Sequence, residues 1–149
     1  MSILTSCIRE DLEYRQLLRT VSENFRINPL PILASGMCDG ASDAFLVSLI
    51  EDTRKLRGDS PVLVVCPEEK ECVKLCGVLE RCGLRAAFYM SRDLTFYNIT
   101  ASHEYEHERL RVLSGILGSD FDAVITTPDA MLGYTIPPRC LEENMLRID

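Results

Sequence analysis

Two continuous apolar runs place the strongest constraint on how this chain of 149 residues can fold. They are PVLVVC at 61–66 and FDAVITT at 121–127. Apolar runs of this length are typical of strands that are buried on both faces, as in parallel sheets. Amphipathic helical patterns at 41–57 and 68–82 alternate with the strand patterns, and the links between them are short. This order predicts an α/β fold in which a mostly parallel sheet is flanked by helices on both faces.

The other segments extend the same pattern. A helical periodicity at 8–20 predicts an amphipathic helix whose inner side carries Ile8, Leu12, Leu17 and Leu18. The sequence Thr127-Pro128-Asp129 predicts the start of a further helix, because it supplies a capping hydroxyl, a proline and an acid in the favoured order. The remaining predicted elements are strands at 32–34 and 84–90, a loop at 91–101, a helix from a Ser102 cap to Leu117, and a last strand within 141–149.

Composition bounds the class of protein. The chain is 46% hydrophobic and 26% charged, which predicts one globular domain over 1–149, with 1–30 as an N-terminal helix and lead-in. Its abrupt end predicts that it is a fragment of a longer multidomain protein. The formal net charge of −7 argues against a nucleic-acid-binding surface, because such a surface needs clustered lysines and arginines. The sequence contains no apolar run long enough to cross a membrane.

The cysteines indicate a reducing compartment. There are seven, an odd number, and the N-terminal sequence MSILTSCIREDLEY lacks the apolar core of a signal peptide. We therefore predict free thiols in a cytoplasmic protein. Cys72 and Cys76 lie four residues apart on a predicted helix, with Cys66 and Cys82 six residues to either side. Because the sequence has no Cys-x-x-Cys pair, these side chains are predicted to be small buried hydrophobes and not metal ligands.

The segment ASGMCDGASDAF lies where a phosphate-binding loop would lie, between a predicted strand and a predicted helix. A working loop reads G-x-x-x-x-G-K-[ST], in which the lysine neutralises phosphates and the hydroxyl binds Mg²⁺. Gly36 matches the first glycine, whereas Ala41 replaces the second. Ser42 replaces the lysine, and Asp43 brings a carboxylate toward the phosphate position. The spacing of Gly36 and Gly40 does not match G-x-G-x-x-G either. This degenerate loop is predicted to bind no cofactor, and a functional nucleotide-binding P-loop domain is the alternative.

The segment HEYEH matches a zinc-protease pattern. His103 and His107 occupy the two ligand positions of H-E-x-x-H, and Glu104 occupies that of the general base. These are the only two histidines, so a third ligand would have to be a distant carboxylate. Both histidines fall at or beyond the margin of the helix's predicted buried stripe, which comprises Leu110, Leu113, Ile116 and Leu117. We predict no metal site here, and a zinc hydrolase is the second alternative.

Four segments in a fixed order carry a resemblance to a known family. They are LASGMCDGASDAFLVSLI, PVLVVCPEEKECVKLCGVLE, FYMSRDLTFYNITASHEYEHERLRVLSGIL and FDAVITTPDAMLGYTIPP. Together they resemble the N-terminal module of the bacterial transcription-repair coupling factor (Mfd), which is itself similar to the first domain of the excision-repair protein UvrB. The resemblance covers about residues 8–149. It implies a fold like UvrB domain 1a, which is P-loop NTPase-like with a degenerate nucleotide loop.

The same resemblance implies a function. The full-length family protein is an ATP-driven DNA translocase that displaces stalled RNA polymerase and recruits UvrA. Its ATP and Mg²⁺ bind in motor domains far downstream, so this segment is implied to be a non-catalytic structural and interaction lobe without a cofactor. The implied partners are other domains of the same protein, UvrA through the adjoining domain, and RNA polymerase and DNA through downstream domains. No membrane partner is implied.

The chain departs from UvrB in one segment. UvrB clamps DNA with a long hairpin between its aromatic loop and the next helix. Here only residues 98–101 separate Tyr97 from Ser102, which is too short for such a hairpin, and we predict no DNA clamp. We also predict that Tyr89, Phe96 and Tyr97 pack against the sheet edge and do not stack on bases, because no neighbouring cations accompany them in the sequence.

Overall fold

The computed structural model describes residues 3–27, 31–38, 40–58, 60–91 and 104–144, apart from the side chains of 24–27 and Glu104. The chain divides into two compact units, Met1–Asp59 and Ser60–Asp149. The predicted loop beyond Ser91, the Ser102 cap and the packing of Phe96 and Tyr97 lie outside the described residues. The prediction of one domain within a longer protein stays a prediction. In the described ranges, none of the helices is long and apolar enough to span a bilayer.

The first unit begins with two helices where the sequence predicted one. They are α1 (Ile3–Glu10) and α2 (Leu12–Ile27). Asp11 separates them, and its Oδ1 accepts a hydrogen bond from the Tyr14 N–H at 3.0 Å, which caps the start of α2. Because the helix restarts here, its inner face changes. Leu12 is 78% exposed, so its predicted inward position is wrong, whereas Tyr14 is buried.

The predicted strand at 32–34 is also wrong. Residues 31–38 have no regular secondary structure, and all of them are exposed. A strand needs a neighbour with which to form backbone hydrogen bonds, and the described residues of this unit contain no strand. Three apolar residues in a row are therefore insufficient to predict a strand at this position.

Helix α3 (Ala41–Arg57) confirms the predicted range at both ends. Val47, Ser48 and Ile50 are buried on its inner side. The last turn is rich in basic residues, which suit the negative end of a helix. Gly58 ends the helix with φ of 81°, and its N–H donates to the Arg54 carbonyl at 2.8 Å.

The second unit contains the sheet. Its elements are β1 (Val62–Val65), α4 (Glu69–Arg81), β2 (Ala86–Tyr89), α5 (Glu104–Gly118), β3 (Ala123–Thr126), α6 (Pro128–Leu132) and α7 (Pro138–Asn144). Within the described residues, three parallel strands form one sheet in the order β1-β3-β2. This small parallel sheet with its helices confirms the general α/β prediction.

The two apolar runs differ in their burial. All four residues of β3 are buried, as predicted for a strand covered on both faces. In β1, by contrast, Leu63 and Val65 are 54% and 47% exposed. The prediction of two-sided burial is wrong for β1, because Leu63 and Val65 alternate along the strand and so lie on the same face, which is exposed.

The core of the second unit forms where α5 and α6 pack on the sheet. Ala87 pairs with Val124 and Tyr89 pairs with Thr126 in the parallel register. The buried apolar cluster consists of Ala87, Tyr89, Val112, Val124 and Ala130, with Leu113, Ile116 and Phe121 packed against it. The inner face of α5 is therefore centred on Val112, and the predicted inward position of Leu117 is wrong, since it is 36% exposed.

The end of the described chain mixes a confirmed prediction with a wrong one. The Thr127 hydroxyl accepts a hydrogen bond from the Ala130 N–H at 3.4 Å, and Pro128 begins α6, as predicted. The predicted last strand is wrong for residues 141–144, which belong to α7. Pro138 occupies the first position of that helix, where its missing N–H has no cost. Residues 145–149 lie outside the described part of the chain.

Candidate functional site

The degenerate loop leads directly into α3. Gly36 and Gly40 have φ of 81° and 89°, which is the left-handed region that favours glycine. A Cβ at either position would meet no atom within 4 Å, so conformation and not space accounts for these glycines. The Ala41 N–H donates to the Cys38 carbonyl at 3.0 Å, and this bond closes the turn before the helix.

The charge at the start of α3 is unfavourable for phosphate. Ser42 is exposed and uncharged, and Asp43 lies half-buried in the first turn of the helix. An acid at this position already balances the positive end of the helix dipole. A phosphate brought to the same turn would meet the Asp43 carboxylate without a lysine to offset the repulsion.

The loop lines one wall of a cavity of about 560 Å³ in the first unit. Ser35, Met37 and Ala41 contribute the loop side of this cavity. The helical side comes from α1, α2 and α3 and includes Tyr14 and Phe45, whose rings meet edge to face with centroids 5.9 Å apart. No local sequence pattern predicts this cavity, because its walls come from segments that are distant in the sequence.

A network of charged side chains connects α1 to α3. Arg9 Nε donates to Asp52 Oδ2 at 2.8 Å, and Arg9 Nη2 donates to Glu51. The Tyr14 hydroxyl donates to Asp52 Oδ2 at 3.0 Å, and Lys55 Nζ donates to Asp52 Oδ1 at 2.7 Å. Asp52 therefore accepts hydrogen bonds from three side chains of this network, and together with Glu51 it links Arg9 of α1 to α3.

The network shifts the pKa values of its members. Hydrogen bonds to Asp52 and then to Glu51 raise the pKa of Arg9. Burial, followed by the hydrogen bond to Asp52, raises the pKa of Tyr14. Burial alone would raise the pKa of Asp52, but the hydrogen bonds that it accepts outweigh burial and lower that pKa below 3.8. At neutral pH the network thus holds a carboxylate, a guanidinium and a neutral phenol. No local sequence pattern indicates this network, since Arg9 and Asp52 are 43 residues apart.

In the second unit, Tyr89 is buried at the end of β2, and its predicted packing is confirmed. The predicted absence of a neighbouring cation is wrong. Arg109 of α5 is only 5% exposed and lies over the Tyr89 ring, 4.1 Å from its centroid. Its guanidinium donates to the Tyr89 hydroxyl and to the Met90 carbonyl. Because the guanidinium covers one face of the ring and the side chain is buried, Tyr89 does not offer a free face for stacking on a base.

The HEYEH segment is only partly described. His107 is exposed on α5, whereas His103 and the side chain of Glu104 lie outside the described residues. In the part of the chain that the structure covers, no group of three or more histidines, cysteines and acids could hold a metal ion. The absence of a zinc site at this segment therefore stays a prediction.

The cysteines divide into two groups. Cys66 and Cys72 are buried, as predicted, whereas Cys82 is exposed and its prediction as a buried hydrophobe is wrong. Burial raises the pKa of Cys72 to about 12 and that of the half-buried Cys76 to about 11. These side chains are therefore neutral thiols at physiological pH, the form that is a poor nucleophile and a poor metal ligand.

Comparison with known proteins does not identify a relative. No protein-family model matches the chain, and neither the curated proteins nor the solved structures contain a match to it.

Proposed function

We propose that this chain is a non-catalytic structural and interaction lobe of a transcription-coupled DNA repair translocase. The proposal rests on the resemblance of four ordered segments to the N-terminal module of the transcription-repair coupling factor. Its proposed partners are the other domains of that protein, UvrA through an adjoining domain, and RNA polymerase and DNA through downstream domains. Its proposed location is the cytoplasm, where such a translocase works.

One observation carries the non-catalytic part of this proposal. Ser42 stands where a nucleotide-binding loop has its lysine, and Asp43 stands in the first turn of α3. ATP hydrolysis by such a loop needs a cation that binds the β- and γ-phosphates and a side chain that binds Mg²⁺. With neither at this turn, the lobe is proposed to act through contacts with other domains and not through hydrolysis. The ATP and Mg²⁺ of the translocase would bind in its motor domains.

A nucleotide titration tests this part. The full chain is titrated with a fluorescent ATP analogue and Mg²⁺, alongside a triple variant, Ala41→Gly/Ser42→Lys/Asp43→Thr, that restores the phosphate-loop pattern. We expect no micromolar binding to the unsubstituted chain, and any gain in affinity should appear in the triple variant alone. Micromolar binding to the unsubstituted chain would instead support the alternative of a functional nucleotide-binding domain.

The assignment to a repair translocase has its own test. The coding sequence downstream of residue 149 should encode a small UvrA-binding domain and, much further on, helicase motifs. A chain that stops after this residue, or continues into an unrelated domain, would contradict the assignment without affecting the nucleotide result.

A further inference from the structure

The cavity beside the degenerate loop is large enough for a small molecule. Its volume of about 560 Å³ falls within the range of about 300–1,000 Å³ that is typical of ligand pockets. It is formed entirely within the first unit, between α1, α2, the start of α3 and loop residues within 33–37. A phosphate would be repelled here. The chemical class of the ligand must therefore be inferred from the other groups that line the cavity.

Most of the wall is apolar. Ile8, Leu17, Leu33 and Met37 supply aliphatic surface. The edge-to-face rings of Tyr14 and Phe45 add aromatic surface to this wall. Such a wall favours the hydrocarbon part of a ligand, and aromatic faces in addition attract cations through their negative π surface.

The charged groups in the lining all have one sign. They are Asp11 and Glu13, and among the described residues the lining contains no lysine, arginine or histidine. Asp11 caps α2 through one oxygen, Oδ1, which accepts from a backbone N–H, so its carboxylate stays in place at the cavity wall. The nearby Arg9 is paired with Glu51 and Asp52 on α3 and does not compensate the two lining acids.

We infer that this cavity binds a small organic cation with an apolar body, the class to which aralkylamines belong. The ammonium group lies at the Asp11 and Glu13 side, and the hydrocarbon body lies against the aromatic pair and the aliphatic wall. This inference does not depend on the proposed function, because it requires only the first unit and its lining charges. It gives the degenerate loop a role as a wall of a site with the opposite charge preference from that of a phosphate loop.

Three probes that share a phenyl ring and a four-carbon chain test the charge preference on the full chain. They are phenylbutylamine, phenylbutanol and phenylbutyrate. The readout is the rate at which iodoacetamide alkylates Cys7, an exposed thiol that lines the cavity, with exposed Cys82 and Cys140 as internal references. We expect the amine to slow alkylation of Cys7 alone and to bind about fivefold more tightly than the alcohol, with the carboxylate weakest. Equal protection by all three probes, or none by the amine, would overturn the inference.

Two variants localise the effect. Glu13→Gln should lower the affinity for the amine, and Asp11→Asn/Glu13→Gln should lower it to that of the alcohol, whose own affinity should not change. Asparagine also caps helices well, so the double variant retains the start of α2. Glu23→Gln on the same helix is the matched control and should leave all three affinities unchanged. An amine preference that survives in the double variant would contradict the assigned charges, and Glu13→Gln alone provides the test if the double variant does not fold.

Discussion

In the unit Met1–Asp59, ion pairs and apolar side chains connect elements that are far apart in the sequence, whereas in Ser60–Asp149 a parallel backbone ladder does so as well. Arg9 and Tyr14 reach Asp52 across the first unit without any described strand pairing. The second unit also has an ion pair, between Arg85 and Asp122, but these residues lie next to strands that are already paired. The two units should therefore respond differently to truncation of apolar groups and to acid.

The largest expected effect is in the second unit. Ile125 is fully buried in the central strand β3, so Ile125→Ala should lower the free energy of unfolding by about 3 kcal/mol through lost apolar contact and an unfilled cavity. Urea denaturation followed by circular dichroism measures the loss, and hydrogen exchange locates it. Val73→Ala, at a residue that is 60% exposed, is the matched control and should change stability by less than about 0.5 kcal/mol. An equal loss of amide protection in α3 would show that the two units do not respond separately.

A smaller effect is expected from the charged network of the first unit. Asp52→Asn should lower the free energy of unfolding by about 2 kcal/mol at neutral pH, because it leaves the partly buried Arg9 without its main anionic partner. The pKa of Asp52 is lower in the folded chain than its ordinary value of 3.8. Its stabilising contribution is therefore fully present above that ordinary value and is lost as the pH falls through the lower folded-state pKa.

The stability difference between the unsubstituted chain and Asp52→Asn should accordingly hold from pH 7 to about 4 and shrink as the pH is lowered from there toward about 3. Urea denaturation at each pH measures it, and Glu142→Gln, at an exposed residue of the second unit, is the control. A difference that stays constant over this range would mean that the carboxylate does not stabilise the contact between α1 and α3.

The smallest expected effects come from two helical glycines of the second unit. A Cβ at Gly115 would overlap the Phe121 ring, so Gly115→Ala should lower the free energy of unfolding by about 1 kcal/mol despite the better helix propensity of alanine. At Gly77 the nearest atom is the flexible Arg81 Nη1 at 3.4 Å, and Gly77→Ala should raise stability by up to about 1 kcal/mol. Thermal unfolding of the two variants compares them. A gain of stability in both variants would mean that α5 leaves more room beside the Phe121 ring than the Cβ geometry at Gly115 indicates.

Sequence reasoning succeeded where the determining signal is local. The range of α3, the burial of β3 and the Thr127 cap follow from periodicity, from a continuous apolar run and from capping chemistry within a few residues. The positive φ of Gly36 and Gly40 similarly suits the predicted turn before α3. Such features depend on neighbours in the chain, which the sequence displays directly.

Sequence reasoning failed where the result depends on what lies beside an element in space. The runs that became β1 and β3 look alike in the sequence, but β3 is buried at every residue, whereas one face of β1 is exposed. The contacts of Asp52 with Arg9 and of Tyr89 with Arg109 join positions that are distant in the sequence. They depend on side-chain geometry, which hydrophobic periodicity along the sequence does not predict. For the same reason the loop at the candidate site could be found from its glycines, whereas the cavity that it lines could not.

The strand order β1-β3-β2 also has a consequence for how this chain is made. Both outer strands bond to the same four residues of β3, which comes last of the three along the polypeptide. Because translation proceeds from the N-terminus, β1 and β2 leave the ribosome before β3, the strand with which both pair, has been translated. The described ladder can therefore assemble only after residue 126 has emerged, and until then the nascent second unit must rely on its helices or on chaperones to shield its apolar segments.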